Sequence, residues 1–194
     1  MSDFPIPKDK MIECWEYRAK DNALFWTWSN RVSEKDYFKS GIDWIEKQVK
    51  QHLPLKKELC LEIGSGCGRL TFPLAKCFTK VIGIDICEGM IKKANSFKEK
   101  FSVDNIKFKN STNIDKSLKV DFVFTYTVFQ HCEFDIWMKY VKDCYEILNT
   151  GGRFYLHAYI PTNQENIIKL ITEIGYKVIH TEPEGDCIII ILEK

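Results

Sequence analysis

Short runs of alternating apolar positions recur along the chain and predict β-strands. The first run is Leu59–Ile63, in which three large aliphatic residues alternate with Cys60 and Glu62. Six further runs of this kind predict strands at Lys80–Asp85, Ile106–Asn110, Val120–Thr125, Arg153–Ala158, Tyr176–His180 and Cys187–Leu192. The last two runs are joined by the turn-forming stretch Pro183–Asp186, which predicts an antiparallel hairpin at the end of the chain.

Apolar residues spaced three and four positions apart occupy the intervals between these strands and predict helices. The predicted helices cover Lys10–Lys20, Ser33–Gln51, Leu70–Phe78, Met90–Lys100, Ile136–Leu148 and Asn166–Ile174. Ser33 is a plausible N-cap, because a serine hydroxyl can accept a hydrogen bond from an open N–H group of the first turn. Strands that alternate with helices indicate an α/β fold with a largely parallel sheet.

The first strand ends in a loop of alternating glycines, Gly64, Gly66 and Gly68. Glycine reaches backbone angles that a Cβ forbids, and a loop without side chains lets a ligand lie against the peptide groups. The helix predicted next would direct its open N–H groups and positive dipole end toward that ligand. We therefore predict a nucleotide-like cofactor. The spacing differs from the G-x-G-x-x-G fingerprint of dinucleotide sites, so NAD fits poorly.

The stretch from Glu62 to Gly68, followed by Arg69-Leu70-Thr71, reads E-x-G-x-G-x-G-R-L-T. It resembles motif I of the class I S-adenosylmethionine-dependent methyltransferases. The resemblance implies S-adenosylmethionine as the cofactor. It also implies a Rossmann-like seven-stranded mixed sheet with an antiparallel last strand and helices on both faces. In this family the glycine loop, here with Ser65, packs against the methionine part of the cofactor, and the acid in the place of Glu62 helps to hold its amino end.

Asp85 ends the second predicted strand, 21 positions after Gly64. About 20 residues usually separate such a loop from a carboxylate that binds ribose hydroxyls. We assign Asp85 to the ribose and its neighbour Ile86 to the same site, although an acid there could instead cap the following helix. Many relatives carry an adenine-binding acid after the third strand. This chain has Thr112 and Asn113 near that point, and both side chains can form hydrogen bonds.

The loop after the fourth strand is predicted to face the transferable methyl group, because ligands of open α/β sheets bind beyond the carboxyl ends of the strands. Thr125 and Tyr126 would flank that group. His131 is the candidate general base, since an unperturbed histidine titrates near 6.5. The alternative is that His131 lines the pocket or stabilises the loop, and that Tyr126 is a packing residue.

The aromatic residues before the first strand are not needed to build the sheet. Trp15, Trp26 and Trp28 lie among the first 28 residues. We predict that residues 1–52 form a helical, aromatic lid over the methyl acceptor and that residues 53–194 form the cofactor-binding domain; the alternative is that these tryptophans only pack. Tyr37–Gly41 resembles a Phe-Phe-x-Ser-Gly element that precedes motif I in some bacterial methyltransferases.

Length, charge and cysteine content indicate the size of the domain and which classes of partner and location to expect. The chain has 194 residues, 45% of them hydrophobic, which suits one α/β core. A net charge of +1 without a basic stripe gives no indication of nucleic-acid binding. Eight cysteines without a C-x-x-C pair, and no apolar run of membrane-spanning length, predict a cytoplasmic protein without a membrane segment. His131-Cys132-Glu133 is too local for a metal site, so we predict none.

The sequence thus predicts methyl transfer from S-adenosylmethionine to an unidentified acceptor, for which we expect a small molecule. Two alternatives stay open. One is a cofactor-binding or partner protein without catalysis, and the other, which the glycine spacing disfavours, is a nicotinamide-dependent oxidoreductase. The acceptor atom and the oligomeric state do not follow from the sequence.

Overall fold

The computed structural model describes residues 6–28, 33–159 and 164–194. Its strands are β1 Leu59–Ile63, β2 Lys80–Asp85, β3 Ile106–Asn110, β4 Val120–Thr125, β5 Leu148–Tyr159, β6 Lys177–Glu184 and β7 Cys187–Glu193. They form a seven-stranded sheet in the order β3-β2-β1-β4-β5-β7-β6. The pairings among β1 to β5 are parallel, and β7 is antiparallel to both β5 and β6. The predicted mixed sheet with its antiparallel last strand is confirmed.

The helices are α1 Met11–Trp28, α2 Glu34–Trp44, α3 Thr71–Leu74, α4 Glu88–Lys100, α5 Phe134–Ile147 and α6 Gln164–Ile174. Ser33 caps α2 as predicted, because its hydroxyl accepts the N–H of Asp36 at 3.2 Å. The chain beyond α2 continues helically as a π-turn at Ile45–Val49 and a 3-10 turn at Lys50–His52. Residues 1–5 and 29–32 of the predicted lid lie outside the described residues.

Two helices differ from the prediction. α1 extends past Lys20 to Trp28, but Asn22 has non-helical backbone angles (φ −156°, ψ 88°), and its Oδ1 accepts the N–H of Phe25 at 3.1 Å. Asn22 therefore starts a second helical segment as its cap. α3 is only one turn long. Leu74 and Ala75 donate to carbonyls four residues back, whereas Lys76 and Cys77 donate to carbonyls three residues back.

The C-terminal hairpin is longer than predicted. β6 runs to Glu184, paired with Cys187, so that Gly185 and Asp186 alone form the turn. Pro183 lies inside β6, which is possible because β6 is the edge strand of the sheet and a proline there removes no bond to a further strand.

The sheet buries apolar side chains on both faces. Alternate strand residues such as Leu61 and Val123 pack with the apolar sides of α5 and α6 on one face. Their neighbours in sequence, such as Phe122, pack on the other face against α3, α4 and the turns after α2. Since side chains of a strand alternate between faces, this double burial explains why β4 is apolar throughout, apart from Asp121 and Thr125.

Candidate active site

A cavity of about 940 Å³ lies at the carboxyl ends of the strands. Its walls come from the glycine loop, the ends of β1 and β2, the loops after β3 and β4, and residues of α1, α2 and α5. The strand order reverses between β1 and β4, which is the place where open α/β sheets bind their ligands. Pockets for one drug-sized ligand measure roughly 300–1,000 Å³, so this cavity lies at the upper end of that range.

Ten of the twelve predicted site residues line this cavity. They are Glu62, Gly64, Ser65, Gly66, Asp85, Ile86, Thr112, Asn113, Tyr126 and His131. The other two lie behind the lining. Gly68 (φ +90°) faces Phe72 and Phe108, which a Cβ would approach within 2.8 and 3.1 Å. Thr125 is fully buried in β4.

The glycine loop is shaped by close neighbours. Gly64 has a φ of +72°, and a Cβ there would stand 2.2 Å from a methyl carbon of Val128. Gly66 has a φ of +51°, and a Cβ would stand 2.9 Å from the methyl carbon of Thr27 in α1. Both positions therefore require glycine for conformation and for space. Between them, the hydroxyl of Ser65 is buried without a hydrogen-bond partner in the described part of the chain.

Asp85 holds the glycine loop from below. Its Oδ2 accepts the N–H of Gly66 at 2.8 Å, and its Oδ1 accepts the N–H of Cys87 at 2.9 Å, at the start of α4. Burial raises the pKa of this carboxyl, while the two N–H groups oppose the rise. The helix-capping alternative is therefore present in the structure. Each carboxylate oxygen still has a further lone pair, so a capping role leaves room for ribose hydroxyls.

Glu62 is almost completely buried at the end of β1. Its Oε2 accepts a hydrogen bond of 2.5 Å from the hydroxyl of Thr71. Burial raises the pKa of Glu62 to about 8, against the opposing effects of Thr71 and of the nearby Arg69. The carboxyl is thus mostly protonated at neutral pH and is poised to ionise when a cation lies beside it.

Tyr126 is fixed by a network that reaches the C-terminal hairpin. Its hydroxyl donates to Glu184 Oε1 at 2.8 Å, and its ring lies 4.5 Å from that of Trp44. The N–H of Thr127 donates to His157 Nδ1 at 3.1 Å, which leaves the proton of a neutral His157 on Nε2, 3.0 Å from Glu184 Oε2. Burial and Glu184 raise the pKa of Tyr126, so its phenol stays neutral and is not a base.

His131 lies in a 3-10 turn after β4 and is 8% exposed. Its ring meets that of Trp15 edge-on, with centroids 5.1 Å apart, and its carbonyl accepts the N–H of Ile6 at 3.0 Å. Burial lowers the pKa of the imidazole to about 3, and the charge of Arg18 contributes. The ring is therefore neutral over the physiological range and only weakly basic.

Aromatic side chains cover the cavity from the N-terminal side. Of the five tryptophans in the chain, Trp15, Trp26, Trp28 and Trp44 line the cavity, and Trp137 is buried in the core. The guanidinium of Arg18 lies 4.7 and 4.8 Å from the ring centroids of Trp15 and Trp26, within the range of cation–π contact.

The Glu16 side chain connects α1 to the N-terminus of α4. Its carboxylate accepts the N–H of Glu88 at 2.6 Å and that of Gly89 at 3.3 Å, at the open end of α4. A carboxylate at a helix N-terminus also interacts favourably with the helix dipole. The covering helix is thus anchored beside Asp85, which meets the same turn of α4.

The residues after β3 form the opposite end of the cavity. Thr112 and Asn113 are exposed there, with the Asn113 amide 3.2 Å from the Thr112 hydroxyl. Tyr140 donates its hydroxyl to the carbonyl of Thr112 at 2.7 Å, and Asp135 and Lys139 add charges to this end of the lining.

A family model described as a methyltransferase domain matches residues 60–152, which run from β1 into β5 and include the glycine loop, Asp85 and the loop after β4. This stretch carries the site just described, and the sheet has the strand order and the antiparallel last strand of that fold. This stretch, just under half of the chain, is similar to a methyltransferase domain.

Three comparisons show how distant its relatives are. A Dictyostelium discoideum protein named as a methyltransferase is 24% identical over 148 residues, which cover 76% of this chain and 52% of that protein. The Pasteurella multocida 23S rRNA (uracil(1939)-C(5))-methyltransferase RlmD is 24% identical over 139 residues, 72% of this chain and 27% of RlmD. The chain therefore spans about half, or less, of the length of these relatives.

Among solved structures, magnesium protoporphyrin IX methyltransferase (ChlM) from Synechocystis PCC 6803 superposes with a TM-score of 0.67 at 18% identity. The match covers 96% of this chain and 93% of ChlM. At this identity the likeness concerns the fold alone.

The cavity fits the cofactor of the family. Gly64 and Gly66 line the cavity without side chains, and the buried Ser65 hydroxyl between them is an orphaned polar group. Asp85 and Glu62 offer carboxyl oxygens to hydroxyl and ammonium groups.

In the described residues, no group of three His, Cys, Asp or Glu side chains is placed to hold a metal ion. None of the described helices combines the length and apolar composition that a membrane crossing needs.

Several site residues escaped the sequence reasoning. Arg69 follows the glycine loop as a charged residue in an otherwise apolar stretch, and this was the one signal available for it. Trp44 and Arg18 sit in helical patterns that resemble ordinary surface or core positions. Glu184 reaches Tyr126 from 58 residues away in sequence, which no local pattern shows.

Proposed function

We propose that this protein transfers the methyl group of S-adenosylmethionine to a small acceptor enclosed between the loop after β4 and the N-terminal segment, residues 1–52. The observation that carries the proposal is the position of the cavity. It lies at the carboxyl ends of β1, β2 and β4, and aromatic side chains of α1 and α2 cover it. A covered, aromatic pocket suits a ligand small enough to be enclosed.

The cofactor contacts are proposed from the lining. Gly64, Ser65 and Gly66 border the methionine part, and Glu62 faces its ammonium group. Asp85 accepts the ribose hydroxyls. The adenine lies toward Ile86, Thr112 and Asn113, which line the far end of the cavity. Gly68 and Thr125 are not proposed to contact the cofactor. The missing Cβ of Gly68 leaves room for the ring of Phe72, and Thr125 is buried in β4.

The bound cofactor supplies an electrophilic methyl group on a sulfonium, which is already a good leaving group. The protein then has to hold the acceptor in line and exclude water. Tyr126, which lines the cavity, is the residue proposed nearest to the methyl group, whereas Thr125, predicted beside it, is buried in β4 behind the lining. His131 remains the candidate base, with its neutral imidazole ready to accept a proton from the acceptor. Because its pKa is about 3, we expect His131→Gln to lower kcat by no more than the lower end of the usual 10²–10⁴-fold range, roughly 10²-fold, at unchanged KM for the cofactor.

RlmD is named as a methyltransferase of 23S rRNA. An RNA acceptor has less support in this chain. The net charge is only +1, and the cavity is lined by indole and phenol rings under α1. The sequence-based alternative of a binding protein without catalysis is separated from our proposal by turnover, since it predicts cofactor binding but no methylation of any acceptor.

Calorimetric titration tests the proposal first. S-adenosylmethionine, S-adenosylhomocysteine and NAD are titrated into the wild type, Asp85→Ala and Asp104→Ala. Asp104 is an exposed acid on the loop before β3 and serves as the matched control. We expect saturable binding of both sulfur compounds to the wild type and to Asp104→Ala, and at least about a tenfold loss in Asp85→Ala. Preference for NAD, or no binding of the sulfur compounds, would refute the proposed cofactor site.

Methyl transfer is then measured on the wild type with radiolabelled S-adenosylmethionine and a panel of small amines, thiols, phenols and carboxylic acids, with total RNA as a separate arm. Labelling of a small compound supports the proposed acceptor class. Labelling confined to RNA would replace it, and binding without any labelling would favour the non-catalytic alternative.

A further inference from the structure

Arg69 is a buried cation that faces the cavity. It follows the last glycine of the loop, is 7% exposed and belongs to the lining. In the described part of the chain its guanidinium forms neither an ion pair nor a hydrogen bond with another residue. The guanidinium carbon lies 5.9 Å from the centroid of the Tyr126 ring. An arginine carries five N–H donors, so this side chain has unused binding capacity.

Among residues 6–28, 33–159 and 164–194, no acid forms an ion pair with this guanidinium. Glu62 is the carboxyl group whose field acts on Arg69, but Glu62 is engaged by Thr71 and is mostly protonated near neutral pH because burial raises its pKa to about 8. Buried arginines are almost always paired, because an uncompensated charge in a protein interior is costly. A site that keeps one unpaired is held ready for a charge that arrives with a ligand.

We propose that Arg69 binds a carboxylate inside the cavity. The inference rests on the proposed function, since it names a ligand group of the same site. A guanidinium matches a carboxylate with two parallel N–H···O bonds, which neither a lysine nor a single hydroxyl provides. Two sources of this carboxylate are possible, the methionine end of the cofactor and an acid group of the acceptor.

The position of Arg69 explains why both sources must be tested. Glu62, which we assign to an ammonium group, is near enough for its charge to act on Arg69, so that the two side chains together would match the opposite charges of an α-amino acid. Tyr126, whose ring centroid lies 5.9 Å from the guanidinium carbon, stands where the acceptor is expected. The guanidinium is therefore close to the proposed positions of both the cofactor and the acceptor.

The first arm tests the cofactor as the source of the carboxylate, by combining a change in the protein with a change in the ligand. Wild type and Arg69→Met are titrated calorimetrically with S-adenosylmethionine and with decarboxylated S-adenosylmethionine, which keeps the ammonium group. Methionine preserves the length of the aliphatic stem without the charge. If the cofactor supplies the carboxylate, the wild type prefers S-adenosylmethionine by at least about tenfold, Arg69→Met loses this preference, and the affinity for the decarboxylated ligand changes less than about threefold.

The second arm concerns the acceptor. Benzoate and its neutral isostere benzamide are titrated into wild type and Arg69→Met saturated with S-adenosylhomocysteine. If the acceptor supplies the carboxylate, benzoate binds the wild type at least about tenfold more tightly than benzamide, and Arg69→Met abolishes the difference. If both arms show no dependence on Arg69, the inference is wrong.

Thermal unfolding of the ligand-free variants provides an independent readout. Removal of an uncompensated buried charge should raise the melting temperature of Arg69→Met above that of the wild type, whereas a charge with a structural partner would make it fall. Arg69→Lys, which keeps the charge without the fork, replaces Arg69→Met in both arms if the latter does not fold. If the wild type binds no S-adenosylmethionine at all, the proposed function fails, and the benzoate arm is then run on the ligand-free protein to decide on Arg69 alone.

Discussion

The carbonyl oxygen of Arg69 lies directly against Gly41, so that a Cβ on Gly41 would stand 2.0 Å from it. Two features of the sequence make this approach possible. Pro73 leaves the Arg69 carbonyl without its helical N–H partner, and Gly41 removes the side chain that would otherwise fill the space in α2. α2 is thereby seated on the backbone that follows the glycine loop.

Gly41→Ala should therefore destabilise the protein, although glycine to alanine in a helix normally stabilises by about 1 kcal/mol. The new methyl group would overlap backbone that cannot rotate away, so we expect a loss of about 3 kcal/mol in unfolding free energy. Urea denaturation checks this value. Ser40→Ala, which removes only the bond from its hydroxyl to the Tyr37 carbonyl, is the control, with an expected loss of about 1 kcal/mol or less. A stabilised Gly41→Ala would contradict the packing.

The order of strands and helices could be predicted from the sequence because β1, β2, β4 and β7 are short runs of mostly buried residues, and α4 and α5 each show a helical period of apolar positions. α3 is shorter than predicted because its apolar spacing, Leu70 to Phe78, continues past Ala75, where bonds that span three residues replace the helical pattern. The break at Asn22 is a similar case, since only the side-chain cap shows that α1 is two segments.

The candidate site was predictable where it depends on local motifs, as at the glycine loop and Asp85. It was not predictable where tertiary contacts decide. The pKa of about 3 for His131 results from burial under Trp15 and the charge of Arg18, both far away in sequence. The sequence suggested a histidine near its ordinary pKa, and the fold provides a neutral, weakly basic ring instead.

Glu62 should make the stability of the ligand-free protein fall as the pH rises. Its pKa increases from 4.5 in the unfolded chain to about 8 in the fold, so the folded state holds a proton that the unfolded state has released. This contribution is complete below about pH 4.5 and is lost through pH 8, with a slope of up to about 1.4 kcal/mol per pH unit. Glu62→Gln should flatten the dependence in urea unfolding between these values, and Glu58→Gln, exposed just before the same strand, should retain it.

Binding of S-adenosylmethionine near neutral pH should release about one proton, because the arriving ammonium group favours the ionised form of Glu62. Calorimetry in buffers of different ionisation enthalpy measures this number. Methylthioadenosine lacks the ammonium group and should release none, and Glu62→Gln should release none with either ligand. Equal release in the wild type and in Glu62→Gln would assign the proton to another group, with Asp85 the next candidate because burial raises its pKa as well.

His157→Ala should loosen the loop after β4. His157 is buried, accepts the N–H of Thr127 and faces Glu184, so its removal leaves a cavity and unpaired groups. We expect a loss of about 2–3 kcal/mol in unfolding free energy, measured with urea. His180→Ala, at a half-exposed position on the edge strand, should stay within about 0.5 kcal/mol of the wild type. Equal effects of the two changes would argue against the network around Tyr126.

Glu16→Gln should release α1 from the rest of the protein without unfolding it. The charged carboxylate holds two N–H groups at the start of α4, and a neutral amide offers one acceptor and no charge for the helix dipole. The expected cost is about 1 kcal/mol, spent mainly on the closed position of α1, so the region around Asn22 should become more sensitive to limited proteolysis. Glu13→Gln, exposed on the same helix, is the control and should digest like the wild type.

Since α1 carries Trp15 and Trp26 over the cavity, a saturating cofactor should restore the protection of Glu16→Gln if closure and binding are coupled. Protection that is equal with and without the cofactor would separate α1 from the site and remove the support for its role as a lid.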